Sequence, residues 1–271
     1  MTYAIEQVED SWQYIKGLPE GCVDHVMTDP PFNAKVQDNL IHGTAFKKFV
    51  DGGGGGGVPK RKLAFPPLPA PDPAHGHMWA RDLVRLARRW VLIHCAVEDF
   101  GEIKRACPDE YVRGCIWYKP NAQGQMTGDR PASCYEGIAL LHRDAAKRWN
   151  GVGSYAMWSA ADEAFWPCNS TRGEGKRPGD LPRHPNQKPL DLCLKLVSLF
   201  SDRGETIIDP FCGGGRLGEA CVSLERDYIG LDFSPEWVEV AKLRLARATA
   251  RTDEEALTLC RLRKVDIVEG P

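Results

Sequence analysis

Short apolar runs alternate along this chain with longer stretches of helical periodicity, and this alternation restricts the fold more than any other feature. The predicted strands are Tyr3–Val8, Val23–Thr28, Val91–Cys95, Tyr111–Tyr118, Glu136–His142, Thr206–Asp209, Tyr228–Asp232 and Leu262–Val268. The predicted helices are Ser11–Gly17, His77–Trp90, Glu98–Cys107, Pro189–Ser201, Arg216–Leu224 and Pro235–Ala250. This order predicts an α/β fold with a mostly parallel sheet covered by helices on both faces.

Length and composition fit a single globular domain. The 271 residues suffice for a full α/β core. The net charge of −2 gives no sign of a nucleic-acid partner, so any basic surface must be local. The ten cysteines show no CxxC spacing, which argues against a zinc ribbon. No apolar stretch reaches transmembrane length, so we expect a cytoplasmic protein with reduced cysteines and without a metal or a membrane partner.

Two segments interrupt the alternation. Residues 33–76 contain a run of six glycines followed by six prolines, and they carry several lysines. This composition predicts a flexible basic loop, with an inert linker as the alternative. Residues 143–183 are polar and place Trp149, Trp158 and Trp166 among basic residues. These tryptophans either contact nucleic acid or pack a small satellite core, and the sequence leaves both open.

A glycine loop follows the predicted strand Thr206–Asp209. Its sequence, Asp209–Gly215, reads DPFCGGG and leads into a helix, so backbone and helix amides can approach a ligand closely. Asp232 ends the next strand, where a carboxylate can accept hydrogen bonds from ribose hydroxyls. A glycine turn with a helix-capping Asp232 is the alternative. The spacing fits neither a dinucleotide fingerprint nor a phosphate-binding P-loop, which favours a nucleoside without a pyrophosphate.

A second loop, Asp29-Pro30-Pro31-Phe32, follows the predicted strand Val23–Thr28. The Asp29 carboxylate and the Pro30 carbonyl can accept the hydrogens of an exocyclic amine, and the prolines fix these acceptors in place. The Phe32 ring can stack on a base that has left a helix. A plain proline turn after a strand is the alternative. With the glycine loop, this segment suggests methyl transfer from S-adenosylmethionine to a nucleobase amine.

These motifs resemble the N6-adenine and N4-cytosine DNA amino-methyltransferases, in the permuted class whose catalytic motif precedes the cofactor motif. Residues 29–32 resemble the catalytic tetrapeptide, and residues 209–215 resemble the cofactor loop, although Arg216-Leu217 replaces the usual small hydroxyl residues. Residues 184–189, HPNQKP, resemble a further family segment next to the cofactor, and the stretches 116–121 and 135–136 resemble segments that line the base pocket.

The resemblance implies a Rossmann-like fold dependent on S-adenosylmethionine and a single methyltransferase domain over residues 1–271, with 143–183 as the target-recognition region. The implied catalytic residues are Asp29, Pro30, Pro31 and Phe32. The expected cofactor-binding residues are Asp10, Ser11, Asp29, Lys188, Asp209, Phe211, Cys212, Gly213, Gly215, Asp232 and Phe233.

The expected partner is double-stranded DNA with one base flipped out, and a homodimer is left open. Asp29 favours adenine N6, because the cytosine enzymes of the family more often carry Ser at that position. Methylation of cytosine N4 is the alternative enzyme activity. A nucleic-acid-binding relative without turnover is an alternative of another class, suggested by the changes at Arg216, Leu217 and Phe32.

Overall fold

A computed structural model describes residues 2–31, 79–119, 122, 129, 131–143, 146–159, 181–182, 184 and 187–250. Phe32, the loop 33–76, the predicted strand Leu262–Val268 and Trp166 lie outside these residues. No helix in the described part of the chain is long and apolar enough to cross a membrane.

The described strands form a single sheet. They are β1 (Tyr3–Gln7), β2 (His25–Thr28), β3 (Trp90–Cys95), β4 (Tyr111–Tyr118), β5 (Tyr135–His142), β6 (Met157–Ser159), β7 (Thr206–Asp209) and β8 (Asp227–Asp232). Their order is β1-β8-β7-β2-β3-β5-β4-β6. Neighbours pair in parallel except at β5, which runs antiparallel to β3 and β4. The predicted α/β fold with a mostly parallel sheet is confirmed.

Helices cover both faces of this sheet. They are α1 (Ser11–Gly17), α2 (Trp79–Leu86), α3 (Phe100–Ala106), α4 (Leu190–Phe200), α5 (Arg216–Ser223) and α6 (Pro235–Thr249). Successive strand residues alternate between two apolar clusters: Val26 packs with α1–α3 on one face, and Met27 packs with α4–α6 on the other. This alternation is what a strand buried on both sides requires.

Two predicted helices differ from the structure by more than one residue at an end. The helix predicted over His77–Trp90 ends at Leu86, and Trp90 instead begins β3. The N–H groups of Arg88 and Arg89 donate to the carbonyls of Val23 and Asp24, so they are not available to continue the helix. The helix predicted over Glu98–Cys107 begins as a 3-10 turn, and its α-helical part is α3.

The strand β6 was not predicted from the sequence. This short edge strand pairs with the end of β4, with Trp158 opposite Trp117. Trp158 is buried in the core, and the Trp149 ring packs at 6.3 Å from that of Phe200. These two tryptophans therefore pack, as one of the two interpretations held, but in the main core and not in a satellite core. Part of the predicted target-recognition stretch therefore completes the sheet.

The topology places the carboxyl ends of seven of the eight described strands at one edge of the sheet. β1, β8, β7, β2 and β3 are parallel and end there, and β4 and β6 also end there because β4 pairs antiparallel with β5 and parallel with β6. β5 begins at the same edge, where Tyr135 pairs with Tyr118 and Gly137 with Cys95. Ligands bind at this edge of open α/β sheets.

Candidate active site

The two loops predicted from the sequence lie side by side at that edge. β2 and β7 are paired strands, so Asp29, which follows β2, and Asp209, which ends β7, come close together. The Thr28 hydroxyl donates a hydrogen bond of 2.8 Å to Oδ1 of Asp209 and joins the two strand ends. The fold thus unites motifs that are far apart in the chain.

Asp209 is a buried acid held by protein donors. Besides the Thr28 hydroxyl, the Phe211 backbone N–H donates to its Oδ1 at 3.1 Å, and the Tyr228 hydroxyl lies 3.5 Å from Oδ2. Burial raises the pKa of Asp209 to about 7, and the Thr28 and Phe211 hydrogen bonds oppose this rise only in part. Through these contacts Asp209 links the ends of β2 and β7. Its contact with a cofactor stays a prediction.

The glycine loop depends on backbone that few other residues adopt. Gly213 has a φ of 48° and Gly215 a φ of 76°. A Cβ on Gly215 would lie 2.8 Å from the Cβ of Ala241 in α6, so the loop packs directly on that helix. Cys212 is buried, and burial raises the pKa of its thiol well above the ordinary value, so this thiol is not an activated nucleophile.

Asp232 reaches the glycine loop from the end of β8. One of its oxygens accepts from the Gly213 N–H and the other from the Ser234 N–H, each at 2.9 Å. Burial raises the pKa of Asp232, although these two backbone hydrogen bonds oppose the rise. Phe233, the next residue, is half-buried. A carboxylate has about four acceptor positions, so Asp232 retains capacity for ligand hydroxyls.

Asp10 lies after β1 and caps α1. Its carboxylate accepts from the backbone N–H groups of Trp12 at 2.8 Å and Gln13 at 3.3 Å, and Ser11, the residue after Asp10, is buried. The Trp12 ring lies 4.7 Å from the half-buried Phe211 ring of the glycine loop. The Trp12 indole N–H is buried and has no hydrogen-bond partner among the described residues. The aromatic rings of Trp12 and Phe211 therefore lie together at the glycine loop.

Asp29 takes part in a dense group of charges. Lys188 Nζ lies 2.8 Å from Asp29 Oδ2 and 2.5 Å from Glu136 Oε1. The other Asp29 oxygen, Oδ1, is buried without a hydrogen-bond partner in the described part of the chain. Pro30 is buried and Pro31 half-buried. Of the predicted catalytic residues, Phe32 alone lies outside the described structure.

Two further side chains complete this group. Lys119 Nζ lies 2.8 Å from Glu136 Oε2 and 4.4 Å from the centre of the Trp117 ring. His94 Nδ1 lies 3.2 Å from Glu136 Oε1. The family segments pointed to Lys119 and Glu136, but nothing in the sequence pointed to His94, which lies within the buried apolar strand β3 and carries no motif.

The electrostatics of the group favour charged side chains. Burial alone would raise the pKa of Glu136, but Lys188, His94 and Lys119 outweigh burial and lower it well below its usual value. Burial likewise opposes the charge on Lys188, yet Asp29 and Glu136 raise the pKa of its ammonium. Asp29, His94 and Glu136 could together offer three metal ligands, since their ligand atoms lie within 4.8 Å of one another. The two lysines already balance these carboxylates.

Arg244 of α6 is a second residue that sequence reasoning missed. It is buried, and its guanidinium donates to the Gly214 carbonyl at 2.6 Å and to Gln187 Oε1 at 3.1 Å. Gln187 directly precedes Lys188, so Arg244 connects the glycine loop to the segment that carries the lysine. An arginine among the basic residues of an amphipathic helix gives no sequence signal for this role.

Comparison with known proteins identifies related enzymes. A family model described as DNA methylase matches residues 103–243, about half of the chain. The type II methyltransferase M.HpaI of Haemophilus parainfluenzae is 42% identical over 261 residues, which cover 85% of this chain and 70% of M.HpaI. The type II methyltransferase M.HinfI of Haemophilus influenzae is 22% identical over 253 residues, which cover 87% of this chain and 66% of M.HinfI.

Solved structures share the fold. The complex of M1.HpyAVI with S-adenosylmethionine gives a TM-score of 0.58 at 20% identity and covers 90% of this chain and 99% of that chain. The PvuII DNA methyltransferase, which is cytosine-N4-specific, gives a TM-score of 0.62 at 13% identity. The match covers 96% of this chain and 92% of that chain. These likenesses confirm the predicted methyltransferase fold. Together with the identity to M.HpaI, the matched family model shows that this chain belongs to the DNA methylase family of N6 and N4 amino-methyltransferases.

Proposed function

We propose that this chain transfers a methyl group from S-adenosylmethionine to the N6 amine of adenine in double-stranded DNA, on a base flipped out of the helix. This proposal rests on the partners of the two Asp29 carboxylate oxygens. Lys188 holds Oδ2, whereas Oδ1 is buried without a partner among the described residues. A buried acceptor left unsatisfied is costly, and a ligand with an N–H donor would satisfy it.

The residues around the glycine loop fit S-adenosylmethionine, the cofactor that the family implies. The positive φ angles of Gly213 and Gly215 form the sharp backbone turn that a nucleoside would approach. Asp232 would accept hydrogen bonds from the ribose hydroxyls, and Trp12 with Phe211 would bound the adenine. When bound, the cofactor supplies an electrophilic methyl group on a positively charged sulfur.

The protein contributes mainly position and hydrogen-bond acceptors. Asp29 Oδ1 and the Pro30 carbonyl accept the two amine hydrogens, which keeps the nitrogen lone pair out of the ring system and directed at the methyl group. After transfer, the nitrogen carries one proton too many, and the Asp29 carboxylate is placed to accept it. No covalent intermediate with the protein is needed.

Adenine is proposed over cytosine on the identity of residue 29. Adenine enzymes of the family carry Asp at this position, and Asp29 follows that pattern. A flipped base would expose its amine to Asp29 at a cost of a few kcal/mol for unstacking. The residues for reading a DNA sequence fall in 143–183, mostly outside the described structure.

The test is product analysis. The purified protein is incubated with S-adenosylmethionine labelled on the methyl group and with duplex DNA, and the DNA is digested to nucleosides. We expect label in N6-methyladenine, with none from an Asp29→Asn variant that still binds the cofactor. Label in N4-methylcytosine would replace the adenine assignment. Cofactor binding without transfer to any DNA would favour a binding protein that retains only the fold.

A further inference from the structure

The sequence assigns Lys188 to the cofactor, but the structure gives it different partners. Its ammonium lies between two carboxylates, at 2.8 Å from Asp29 and 2.5 Å from Glu136. Only 13% of the side chain is exposed. These ion pairs join Lys188 to the catalytic loop and to the start of β5.

Lys188 is held firmly in this place. The preceding residue, Gln187, donates its backbone N–H to the His184 carbonyl at 3.1 Å and accepts from Arg244 at 3.1 Å. The next residue, Pro189, has its φ fixed by the ring and is the N-cap of α4. Glu136 is fixed in turn by Lys119 and His94. The ammonium is therefore preorganised before any substrate binds.

This ammonium selects the orientation of the catalytic carboxylate. Because Lys188 holds Oδ2, rotation of the Asp29 carboxylate is restricted and Oδ1 remains the oxygen for the target amine. We infer that Lys188, supported by Glu136 and His94, is a positioning residue for Asp29 in methyl transfer rather than a ligand of the cofactor. This inference rests on the proposed function and assigns a role within its active site.

Removal of Lys188 would leave two carboxylates together. A ligand atom of Asp29 and one of Glu136 lie within 4.8 Å of each other, and carboxylates this close without a cation between them share a proton. Among the described residues, the charged and titratable groups that face this pair are His94, Cys95, Lys119, His184 and Asp209. Of these, Lys119 contacts only the far oxygen of Glu136 and does not replace Lys188.

The experiment compares four variants with the parent chain: Lys188→Met, Lys188→Arg, the double variant Lys188→Met/Glu136→Gln, and a control, Lys104→Met, at an exposed lysine of α3. Calorimetry gives the affinity for S-adenosylmethionine without DNA. Single-turnover assays at saturating cofactor give the rate of methyl transfer to DNA as a function of pH.

For Lys188→Met we expect a cofactor affinity within a few-fold of the parent and a transfer rate at least about 100-fold lower, the scale of losing a preorganised group. The acid side of its rate–pH profile should move to higher pH. Lys188→Arg should keep the parent profile at a reduced rate. In the double variant the profile should return toward the parent, because the second carboxylate is gone, while the rate stays low. Lys104→Met should match the parent.

Three results would overturn the inference. The first is a loss of cofactor affinity of tenfold or more in Lys188→Met with an unchanged transfer rate, which would make Lys188 a cofactor ligand. The second is a slower rate with an unmoved pH profile, which would indicate a general structural role. The third applies if Lys188→Met is unfolded and binds no cofactor. In that case a rate–pH profile of Lys188→Arg that moves to higher pH would overturn the inference. A parent chain that methylates no DNA overturns the proposed function itself, and this inference with it.

Discussion

The two loops of the site begin with the same dipeptide, Asp-Pro, and use it in opposite ways. Asp29-Pro30 follows β2 and Asp209-Pro210 closes β7, its neighbour in the sheet. Asp29 is paired with the Lys188 ammonium and keeps one oxygen without a partner in the described structure. Asp209 is held by neutral donors, and burial raises its pKa to about 7. One carboxylate forms an ion pair that crosses the site, whereas the other joins two strands.

This difference shows that a motif residue takes its chemistry from partners that other segments supply. Lys188 comes from the segment before α4, far along the chain, and it is the cation that Asp209 lacks. Asp29 is also less buried than Asp209, with 22% of its side chain exposed against 5% for the whole of Asp209. Substitutions at the two aspartates should therefore have very different consequences.

The strongest test of this contrast is Asp29→Asn. The amide offers one acceptor oxygen, carries no charge and loses the ion pair with Lys188. We expect the rate of methyl transfer to fall by at least about 100-fold, or about 3 kcal/mol, with cofactor affinity within a few-fold of the parent. Single-turnover assays and calorimetry measure the two effects separately. An unchanged transfer rate would remove Asp29 from the chemistry and erase the contrast.

The next largest effect is expected for Asp232→Ala. This change removes the proposed acceptor for ribose hydroxyls and also the acceptor of the Gly213 and Ser234 N–H groups. Hydrogen bonds to a charged group contribute about 1.5–3 kcal/mol, so the affinity for S-adenosylmethionine should fall roughly 10- to 100-fold. Calorimetry tests this, and saturating cofactor should restore most of the transfer rate. Equal affinity in variant and parent would assign Asp232 to loop structure alone.

Much of the fold could be predicted from the sequence because its signals are local. The strands that form the centre of the sheet are apolar runs bounded by turns, and the structure confirms them nearly to the residue at Val91–Cys95 and Thr206–Asp209. The misses have tertiary causes. β6 is an edge strand of three residues that exists because Trp158 packs into the core beside β4. The end of α2 is set by backbone pairing with residues 23 and 24.

In the active site, too, the local features could be predicted from the sequence and the tertiary contacts could not. Both loops were predictable, because a strand followed by glycines or prolines is visible in the sequence. Their electrostatics were not: His94 and Arg244 have no motif, and the partners of Lys188 depend on how the segment before α4 meets β5. Asp10 caps α1, a role that was not predicted from the sequence, and its contact with the cofactor stays a prediction. Local patterns predict where a loop lies, whereas charge pairing requires the fold.

A smaller effect, shared by both loops, is expected for Arg244→Met. The change removes the donor to the Gly214 carbonyl and to Gln187, so the glycine loop and the segment of Lys188 lose their common anchor. We expect roughly tenfold weaker cofactor binding, about 1.4 kcal/mol, and a decrease of a few-fold in transfer rate. Arg247→Met on the same helix is the matched control. A change in only one of the two quantities would show that Arg244 serves a single loop.

The smallest effect on methyl transfer is expected for Asp209→Asn, the same substitution as at Asp29. The amide oxygen can still accept from Thr28 and Phe211, so transfer at saturating cofactor should stay within a few-fold of the parent. The signature should appear in stability. The pKa of Asp209 is raised from 3.8 to about 7 by burial, so folding favours its protonated form.

The contribution of that carboxyl to stability is therefore fully present below about pH 4 and is lost as the pH rises through about 7. Between these values the parent should lose about 1 kcal/mol per pH unit relative to Asp209→Asn, which has no proton to lose there. Urea unfolding of both proteins from pH 4 to pH 8 measures this difference. A constant difference across that range would mean that Asp209 ionises freely in the folded protein. Loss of transfer equal to that of Asp29→Asn would mean that both Asp-Pro loops act in the chemistry.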